Sequence, residues 1–369
     1  MKIIYSAPDI GLNDCNGGSA HVSGVINAMH KAGHNVNLIC NSGEIDNIIK
    51  IKKFKSGLFR VLNYFFSPFF ITVYLCLKEK PDIIYERARI FGGGAILAGK
   101  LFDIKSIYEM NEPIGEDNNK LKKIIFNWHM IISRLSNLVT GTHPKFFLGI
   151  EKSKQKLVHY GIDPEKFSPE VNSSEIIKKY NLENSNVILY IGSFAKWHSC
   201  ENIIKAAELI IKKDKKIKFL MVGDGEKLEK CRELTKILKI HKSIIFTGKI
   251  EYSDMPKYIN ASTICLALFD RNYFANDYYF SPIKVHEYKA CGKPIIASNI
   301  GNLKNLVKNN ENGLTVNENK IEDICNKIII LLKNKDLYRK ISINNRKEIE
   351  KNYNWLKITE DILKSAINN

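Results

Sequence analysis

The chain has 369 residues, a length that favours two domains of ordinary size over one large domain. Hydrophobic residues make up 44% and charged residues 26%, which is typical of a globular protein and excludes a disordered one. Lysine and arginine total 56 against 39 acidic residues, so the net charge is +17. A surplus of this size favours an anionic partner, whether nucleic acid, acidic lipid or a phosphorylated substrate.

The cysteine pattern indicates a reduced compartment. The nearest two of the eight cysteines, Cys15 and Cys40, are 25 positions apart, so no Cys-x-x-Cys pair is present. The single histidines show no metal-ligand spacing either, and we predict no metal site. The apolar run at the N-terminus is too short for a signal peptide. We therefore expect a cytoplasmic protein.

Short apolar strands alternate with longer helices along the first half of the chain. Strands are predicted at 2–7, 35–41, 82–85, 105–109 and 137–141, and helices at 18–33, 92–102 and 120–136. This alternation is typical of parallel βαβ units.

The same pattern starts again after a break at 161–169, where glycine and proline punctuate a polar stretch. Strands are predicted at 187–191, 217–222, 244–246, 263–268 and 294–298, and helices at 200–212, 226–239, 254–260, 282–291, 302–308, 320–333, 335–350 and 355–367. We predict an α/β protein of two tandem Rossmann-like doubly wound domains, 1–165 and 170–350. Because ligands bind at the carboxyl ends of such strands, two facing domains would place a site in the cleft between them.

Residues 61–77 form an uncharged, Phe-rich run that follows a basic segment. Three interpretations are open: a membrane span at its lower length limit, a pair of buried helices interrupted near Pro68, or insertion into a membrane surface. No acidic residue lies between Asp46 and Glu79. An anionic membrane surface is therefore the partner predicted for 50–77.

The segment 279–294, YFSPIKVHEYKACGKP, carries the clearest chemical signal. Ser281 is a suitable N-cap and Pro282 a suitable first helical residue. Lys284 stands where a capping box would have Glu or Gln, although a cation in the first turn opposes the helix dipole. A phosphate bound at this helix N-terminus would account for Lys284, and Glu287 could accept hydrogen bonds from a ribose diol. The alternative is a surface helix that tolerates the lysine.

Other polar groups and glycines follow predicted strands. Gly17-Gly18 opens a helix after the first strand, but the GxGxxG pattern is absent. Gly192 and Gly223 follow two strands of the second half. In the first half, Tyr85-Glu86-Arg87 and the stretch from Glu109 to Glu112 lie where a site would be. For Gly17-Gly18 an ordinary turn is an equal alternative, and for the Gly192 and Gly223 segments a solvated turn is the favoured one. The polar groups of the first half are alternatively satisfied groups at loop starts.

Taken in order, these segments resemble the retaining glycosyltransferases of family 4, which have the GT-B fold. The matching segments are GGSAHV at 17–22, IIYERARIFGGGAILAGK at 83–100, YEMNEP at 108–113, VHYGIDPEKFSP at 158–169, ILYIGSFAKWHS at 188–199, FLMVGDGEKL at 219–228, IIFTGKIEYSDMPKYINAST at 244–263, FSPIKVHEYKACGKPIIAS at 280–298 and NGLTV at 312–316. The resemblance covers nearly the whole chain. It implies that an acceptor binds to the first domain, 1–165, and a nucleotide sugar mainly to the second, 170–350. It also implies that residues 351–369 form a helix that crosses back to the first domain.

The resemblance implies a metal-independent transfer of a sugar from a nucleotide-sugar donor, UDP- or GDP-linked, with retention of configuration. No cofactor is implied beyond that substrate, and the acceptor would be a glycan or lipid-linked molecule of surface polysaccharide or glycolipid synthesis. The donor-side residues it implies are Gly18, Gly192, Ser193, Gly223, Ile250, Ser281, Pro282, Ile283 and Glu287. Glu287 would bind the ribose hydroxyls and the backbone near Ile250 would read the base. The catalytic residues it implies are Glu109, Asn111, His198 and Lys284.

This sequence departs from the family pattern at the donor site. Tyr279 replaces the first of two paired glutamates, and Ser193 and His198 replace the usual arginine and lysine. His198 could then contact phosphate as a cation only if its pKa rises. Alternatives to an active transferase are a non-catalytic GT-B subunit, a nucleotide-sugar epimerase, and a basic nucleic-acid-binding protein. No nucleic-acid-binding motif accompanies the positive charge, so we expect no nucleic acid partner.

Overall fold

The computed structural model describes residues 1–14, 17–52, 54, 57–110, 120–273 and 282–369. Over these residues the chain forms two compact units. The first contains Met1–Gly161 and Trp355–Asn369, and the second contains Ile162–Asn354. Each unit is built on one parallel sheet, and the predicted α/β class with two tandem Rossmann-like domains is confirmed.

A seven-stranded parallel sheet forms the centre of the first unit. Its strands are β1 (Lys2–Ser6), β2 (Asn35–Cys40), β3 (Ile48–Lys50), β4 (Ile83–Arg87), β5 (Lys105–Met110), β6 (Leu138–Gly141) and β7 (Gln155–Leu157). Its first helices are α1 (Gly17–Lys31), α2 (Leu58–Glu79), α3 (Gly94–Leu101) and α4 (Lys120–Leu135). The spatial order β3-β2-β1-β4-β5-β6-β7 reverses direction between β1 and β4. This reversal is the switch point of the sheet.

A six-stranded parallel sheet forms the centre of the second unit, in the order β10-β9-β8-β11-β12-β13. Its strands are β8 (Asn186–Ile191), β9 (Ile217–Val222), β10 (Ile244–Gly248), β11 (Ile264–Ala267), β12 (Ile295–Ser298) and β13 (Leu314–Val316). Its helices are α5 (Ser174–Lys179), α6 (Cys200–Ile211), α7 (Leu228–Ile237), α8 (Met255–Asn260), α9 (Ile283–Ala290), α10 (Leu303–Leu306), α11 (Ile321–Lys333) and α12 (Lys335–Asn352). The switch point lies between β8 and β11.

The central strands are buried on both faces because helices cover both sides of each sheet. Side chains of α6 and α11 pack on one face of the second sheet, and Val285 and Tyr288 of α9 pack on the other. The apolar strand sequences follow from this double burial.

The last helix, α13 (Trp355–Asn368), belongs to the first unit. The indole ring of Trp355 packs so closely on Gly24 that a Cβ there would lie 2.7 Å from ring carbons. Glycine at this position therefore allows α13 to approach α1. Ile362 and Leu363 then complete the hydrophobic core on that side of the sheet.

One interpretation of the apolar run at 61–77 is wrong. The run forms a single helix, α2, rather than a pair of buried helices, and Pro68 lies inside it. A proline inside a helix removes one hydrogen bond and costs about 3 kcal/mol in an isolated helix. Pro68 is buried, so packing around it offsets this cost.

Candidate active site

The second unit brings several predicted site residues to the switch point of its sheet. The loop after β8 carries Gly192, Ser193 and His198, and the chain after β11 forms a bridge between Phe269 and His198. Crevices at the carboxyl ends of strands on either side of a switch point are where open α/β sheets bind ligands. This part of the second unit is therefore the first candidate site.

Lys284 lies in the first turn of α9 beside this loop. Its Nζ atom is 4.9 Å from the ring centre of Tyr190 and 5.0 Å from that of Phe269, both within cation–π range. No carboxylate forms an ion pair with it among the residues that the structure describes. Burial lowers the pKa of Lys284 to about 8, so the ammonium form still prevails at neutral pH. The result is a cation at a helix N-terminus, an arrangement suited to an anion.

His198 is almost fully buried next to Lys284. Its Nε2 atom is 3.5 Å from Lys284 Nζ, and its Nδ1 atom is 3.2 Å from Ser193 Oγ. Burial, together with the nearby Lys284 charge, lowers the pKa of His198 to about 2. The rise in pKa that a cationic His198 would need is therefore absent from this structure. A neutral His198 can accept from Lys284 at Nε2 and donate at Nδ1.

The ends of β8 and β9 meet closely at two glycines. Gly192 and Gly223 both have positive φ, 154° and 127°. A Cβ on Gly223 would lie 2.9 Å from the carbonyl carbon of Gly192, so only glycine fits at that position. The close approach holds the backbone of the two loops side by side at the carboxyl edge of the sheet.

Glu287 lies one turn after Lys284 on α9 and is 3% exposed. Its carboxylate accepts a hydrogen bond from the Tyr252 hydroxyl, and the Lys166 ammonium interacts with it electrostatically. Lys166 Nζ also lies 4.4 Å from the centre of the Tyr252 ring. Burial raises the pKa of Glu287 to about 7. Sequence reasoning did not single out Tyr252 or Lys166, although Tyr252 lies in the matching segment 244–263 and Lys166 in the matching segment 158–169.

Pro282, Ile283 and Ile250 are the remaining donor-side residues that the structure describes in the second unit. Pro282 is the N-cap rather than the first helical residue, because its ψ of 116° is extended, and Ile283 begins the helix. Ile250 is partly buried against the core of the second unit, two positions before Tyr252. The predicted N-cap Ser281 and the substituted Tyr279 lie outside the described residues.

Glu109 lies at the end of β5 and is the centre of a buried polar network in the first unit. It accepts a hydrogen bond from the hydroxyl of Tyr5, 3.1 Å away, and its other oxygen contacts Nε2 of His21. Tyr85 of β4 also hydrogen-bonds to it. Four elements, β1, β4, β5 and α1, thus converge on one carboxylate.

His21 connects Glu109 to the glycine turn that opens α1. Gly18 is in the first turn of α1, three positions before His21, and is partly exposed. The imidazole of His21 is held edge-on by the rings of Tyr160 and Trp355, at centroid distances of 5.1 and 5.0 Å. His21 was noted in the sequence only as a histidine without metal-ligand spacing. Its position in GGSAHV, one turn after the glycines, was the signal that could have identified it.

Acidic and basic groups also meet at the switch point of the first sheet. Asp9 follows β1 and pairs with Arg87, at 3.5 Å, and with Arg89, both at the end of β4. Glu86 instead accepts hydrogen bonds from the backbone N–H groups of Gly93 and Ile96 at the start of α3. Glu86 is therefore a satisfied structural carboxylate. Asn111 lies outside the described residues.

The structure describes no cluster of three or more His, Cys, Asp or Glu side chains able to hold a metal ion within 1–14, 17–52, 54, 57–110, 120–273 and 282–369. The charge at the candidate donor site is supplied by Lys284. The chemistry that this arrangement supports is the binding of an anion, such as a phosphate, at the start of α9.

Comparison with known proteins indicates which class of protein has this fold. Residues 172–348 match the family described as Glycosyl transferases group 1. The matched region lies within the second unit and includes Gly192, His198, Lys284 and Glu287. Together with the relatives and the solved structures, this match supports a GT-B glycosyltransferase.

Several relatives of this chain are named as glycosyltransferases. An uncharacterized glycosyltransferase of Haemophilus influenzae is 26% identical over 94% of this chain and 95% of that protein. One of Methanocaldococcus jannaschii is 26% identical over 82% of this chain and 79% of that protein. A UDP-Gal:alpha-D-GlcNAc-diphosphoundecaprenol alpha-1,3-galactosyltransferase of Escherichia coli is 23% identical over 79% of this chain and 77% of that protein.

Solved structures share the fold over the whole chain. A glycosyltransferase from Rickettsia africae superposes with a TM-score of 0.78 at 21% identity, covering 100% of this chain and 98% of that one. Anabaena HepE, solved in complex with UDP, superposes with a TM-score of 0.74 at 13% identity, covering 100% of both chains. The GT-B fold is thus established for this chain.

Proposed function

We propose that this protein transfers a sugar from a nucleoside diphosphate sugar to a glycan or lipid-linked acceptor, with retention of configuration. The observation that carries the proposal is the Lys284 ammonium at the start of α9, seated on two aromatic faces at the switch point. A diphosphate there would balance both the lysine charge and the positive end of the helix dipole. The family match, and the UDP bound by the HepE structure, agree with this choice of ligand.

The groups carried by α9 have distinct roles in the proposed reaction. Lys284 and the first N–H groups of α9 would stabilise the charge that develops on the diphosphate as its bond to the sugar breaks. The acceptor hydroxyl would attack the same face of the sugar and pass its proton to a diphosphate oxygen. Glu287, positioned by Tyr252 and Lys166, would bind the ribose hydroxyls.

The positive charge in this scheme comes from the protein, so the proposed reaction uses no metal ion and no cofactor. A chelator should leave the rate unchanged. We place the reaction at the cytoplasmic face of an anionic membrane, with 50–77 as the contact. The lipid-linked substrate in the name of the Escherichia coli relative is consistent with such an acceptor.

Calorimetric titration with UDP, GDP and ADP tests the donor site. UDP or GDP should bind the wild type. Lys284→Met should raise the dissociation constant by about 10- to 100-fold, which corresponds to the loss of one hydrogen bond to a charged group. Lys236→Met is the control. Lys236 is exposed near the end of α7, and α7 leads to β10, the outermost strand of the sheet rather than a strand of the switch point. If no nucleotide binds, or if Lys284→Met binds like the wild type, the donor site is wrong. The anomeric configuration of the product, read by NMR, tests retention separately.

A further inference from the structure

Helix α2 has one packed side and one exposed apolar side. Its buried residues are Pro68, Thr72, Leu75 and Cys76. The exposed side carries six large apolar residues at helical spacing, 40 to 74% exposed, which we call the aromatic stripe: Phe59, Leu62, Phe66, Phe70, Tyr74 and Leu77. Soluble monomers seldom expose so many adjacent large apolar side chains, so this stripe indicates an interaction surface.

The charges around the aromatic stripe are basic. Arg60 and Lys78 are 18 positions apart, which is about five helical turns, so both lie along the same border of the stripe. Lys50 and Lys52 precede the helix and are exposed, and no acidic residue occurs from 47 to 78. Glu79, the last residue of α2, accepts a 2.8 Å hydrogen bond from Asn37 of β2. The border of the stripe is therefore complementary to an anionic surface.

Packing on the other side argues against a membrane span. Among the described residues, α2 is the one helix long and apolar enough to cross a bilayer by length and composition. However, α3 packs directly on its backbone, and a Cβ on Gly94 would lie 3.0 Å from the carbonyl carbon of Phe65. The Phe65 ring also contacts Trp128 of α4, at a centroid distance of 5.8 Å. A spanning helix would lose these contacts, whereas a helix lying on the membrane keeps them.

We propose that the aromatic stripe inserts into the surface of an anionic bilayer, with α2 lying in the membrane plane and Arg60 and Lys78 at the level of the lipid phosphates. Phenylalanine and leucine side chains on one helix face bind the boundary between headgroups and acyl chains, and lysine or arginine at the border adds attraction to anionic lipid. The proposal rests on the proposed function in choosing a membrane as the partner. It names the side chains that make the contact and the orientation of the helix.

Co-sedimentation with vesicles tests this orientation. We would compare vesicles of phosphatidylcholine alone with vesicles that contain equal parts of phosphatidylcholine and phosphatidylglycerol, at low salt. The wild type should pellet with the anionic vesicles. The double variant Phe59→Gln/Phe70→Gln should bind about tenfold or more weakly, because two exposed rings no longer insert. Arg60→Gln/Lys78→Gln should reduce the preference for phosphatidylglycerol.

Ile237→Gln is the matched control, because Ile237 of the second unit is 74% exposed, like Phe59. It should pellet like the wild type. If the wild type stays in the supernatant, or if Phe59→Gln/Phe70→Gln pellets equally well, the proposal is wrong. A lipid-free dimer in sedimentation velocity that the same double variant dissociates would assign the stripe to a second copy and also overturn the proposal. UDP affinity is measured without lipid as a separate readout. A protein that binds UDP but not vesicles would contradict the membrane proposal and leave the proposed function standing.

Discussion

The Nζ atom of Lys284 lies 3.5 Å from Nε2 of His198, and this pair determines where the positive charge of the second unit's candidate site resides. Burial lowers the pKa of both groups, and the charge of Lys284 lowers the pKa of His198 further. The lysine retains its proton because its pKa, lowered to about 8, remains far above that of His198, lowered to about 2. Lys284 is therefore the cation and His198 a neutral ligand that helps to orient it.

The affinity for UDP should fall as pH rises through about 8. Only the ammonium form of Lys284 attracts the diphosphate, and above the pKa of about 8 the affinity should fall by up to about tenfold for each pH unit. Below pH 7 the group is fully protonated, so affinity should be flat from this cause. Because bound phosphate raises the lysine pKa, binding near pH 8 should take up protons. Titration calorimetry in two buffers of different ionisation enthalpy measures this uptake.

Lys284→Arg is the control for this pH dependence, since a guanidinium keeps its charge throughout the range. The variant should still bind UDP, more weakly if its larger head disturbs the packing on Tyr190 and Phe269, but with a flat profile from pH 7 to 9. An equally steep fall in the arginine variant would show that another group titrates.

Glu287→Gln should make the folded protein more stable at pH 8 while weakening donor binding. The folded pKa of about 7 lies above the ordinary 4.5, so ionising Glu287 in the folded state costs on the order of 3 kcal/mol once the pH exceeds both values. This cost is absent below pH 4.5, where the group is protonated in both states. Urea denaturation at pH 8 and pH 4 should show a gain of stability only at the higher pH. An equal change of stability at pH 8 and pH 4 would show that ionisation of Glu287 is not the cause of the effect.

Local sequence patterns predicted much of the fold. Apolar strands such as β8 alternate with helices because both faces of a parallel sheet must be covered, and this rule is visible in the sequence. The three-residue strands β3, β7 and β13 were missed, since runs this short carry no recognisable period. The helix pair proposed for 61–77 was wrong, because sequence alone does not show that Pro68 is buried by packing within one helix.

The candidate site, like the fold, could be predicted only in part from the sequence. Lys284 and Glu287 could be identified because one helix carries both, and the misfit of Lys284 with the helix dipole is a local property. The pKa of His198 could not be predicted, since it depends on burial and on Lys284, 86 positions away. The partners of Glu109 come from three other elements, and only the sheet order brings Tyr5 and His21 to it.

Glu109→Gln should abolish most sugar transfer without changing UDP affinity. Its carboxylate holds His21 and Tyr5 in the first unit, whereas the proposed nucleotide site is built from residues of the second unit. Loss of the charge leaves buried partners poorly paired, so unfolding free energy should fall by about 1–3 kcal/mol. Urea denaturation, UDP calorimetry and a transfer assay together distinguish a lost acceptor-side role from general misfolding.

A double-mutant cycle with His21→Gln then isolates the pair. The effects of Glu109→Gln and His21→Gln on stability should be non-additive by about 0.5–3 kcal/mol, because each variant removes the same interaction. Glu86→Gln is the matched control, a second buried carboxylate of the same unit that accepts from the amides of Gly93 and Ile96 instead. Its effect should add to that of His21→Gln. Additivity in the Glu109 cycle as well would show that the buried contact between Glu109 and His21 contributes nothing to stability. Unchanged transfer in Glu109→Gln would remove Glu109 from the proposed reaction.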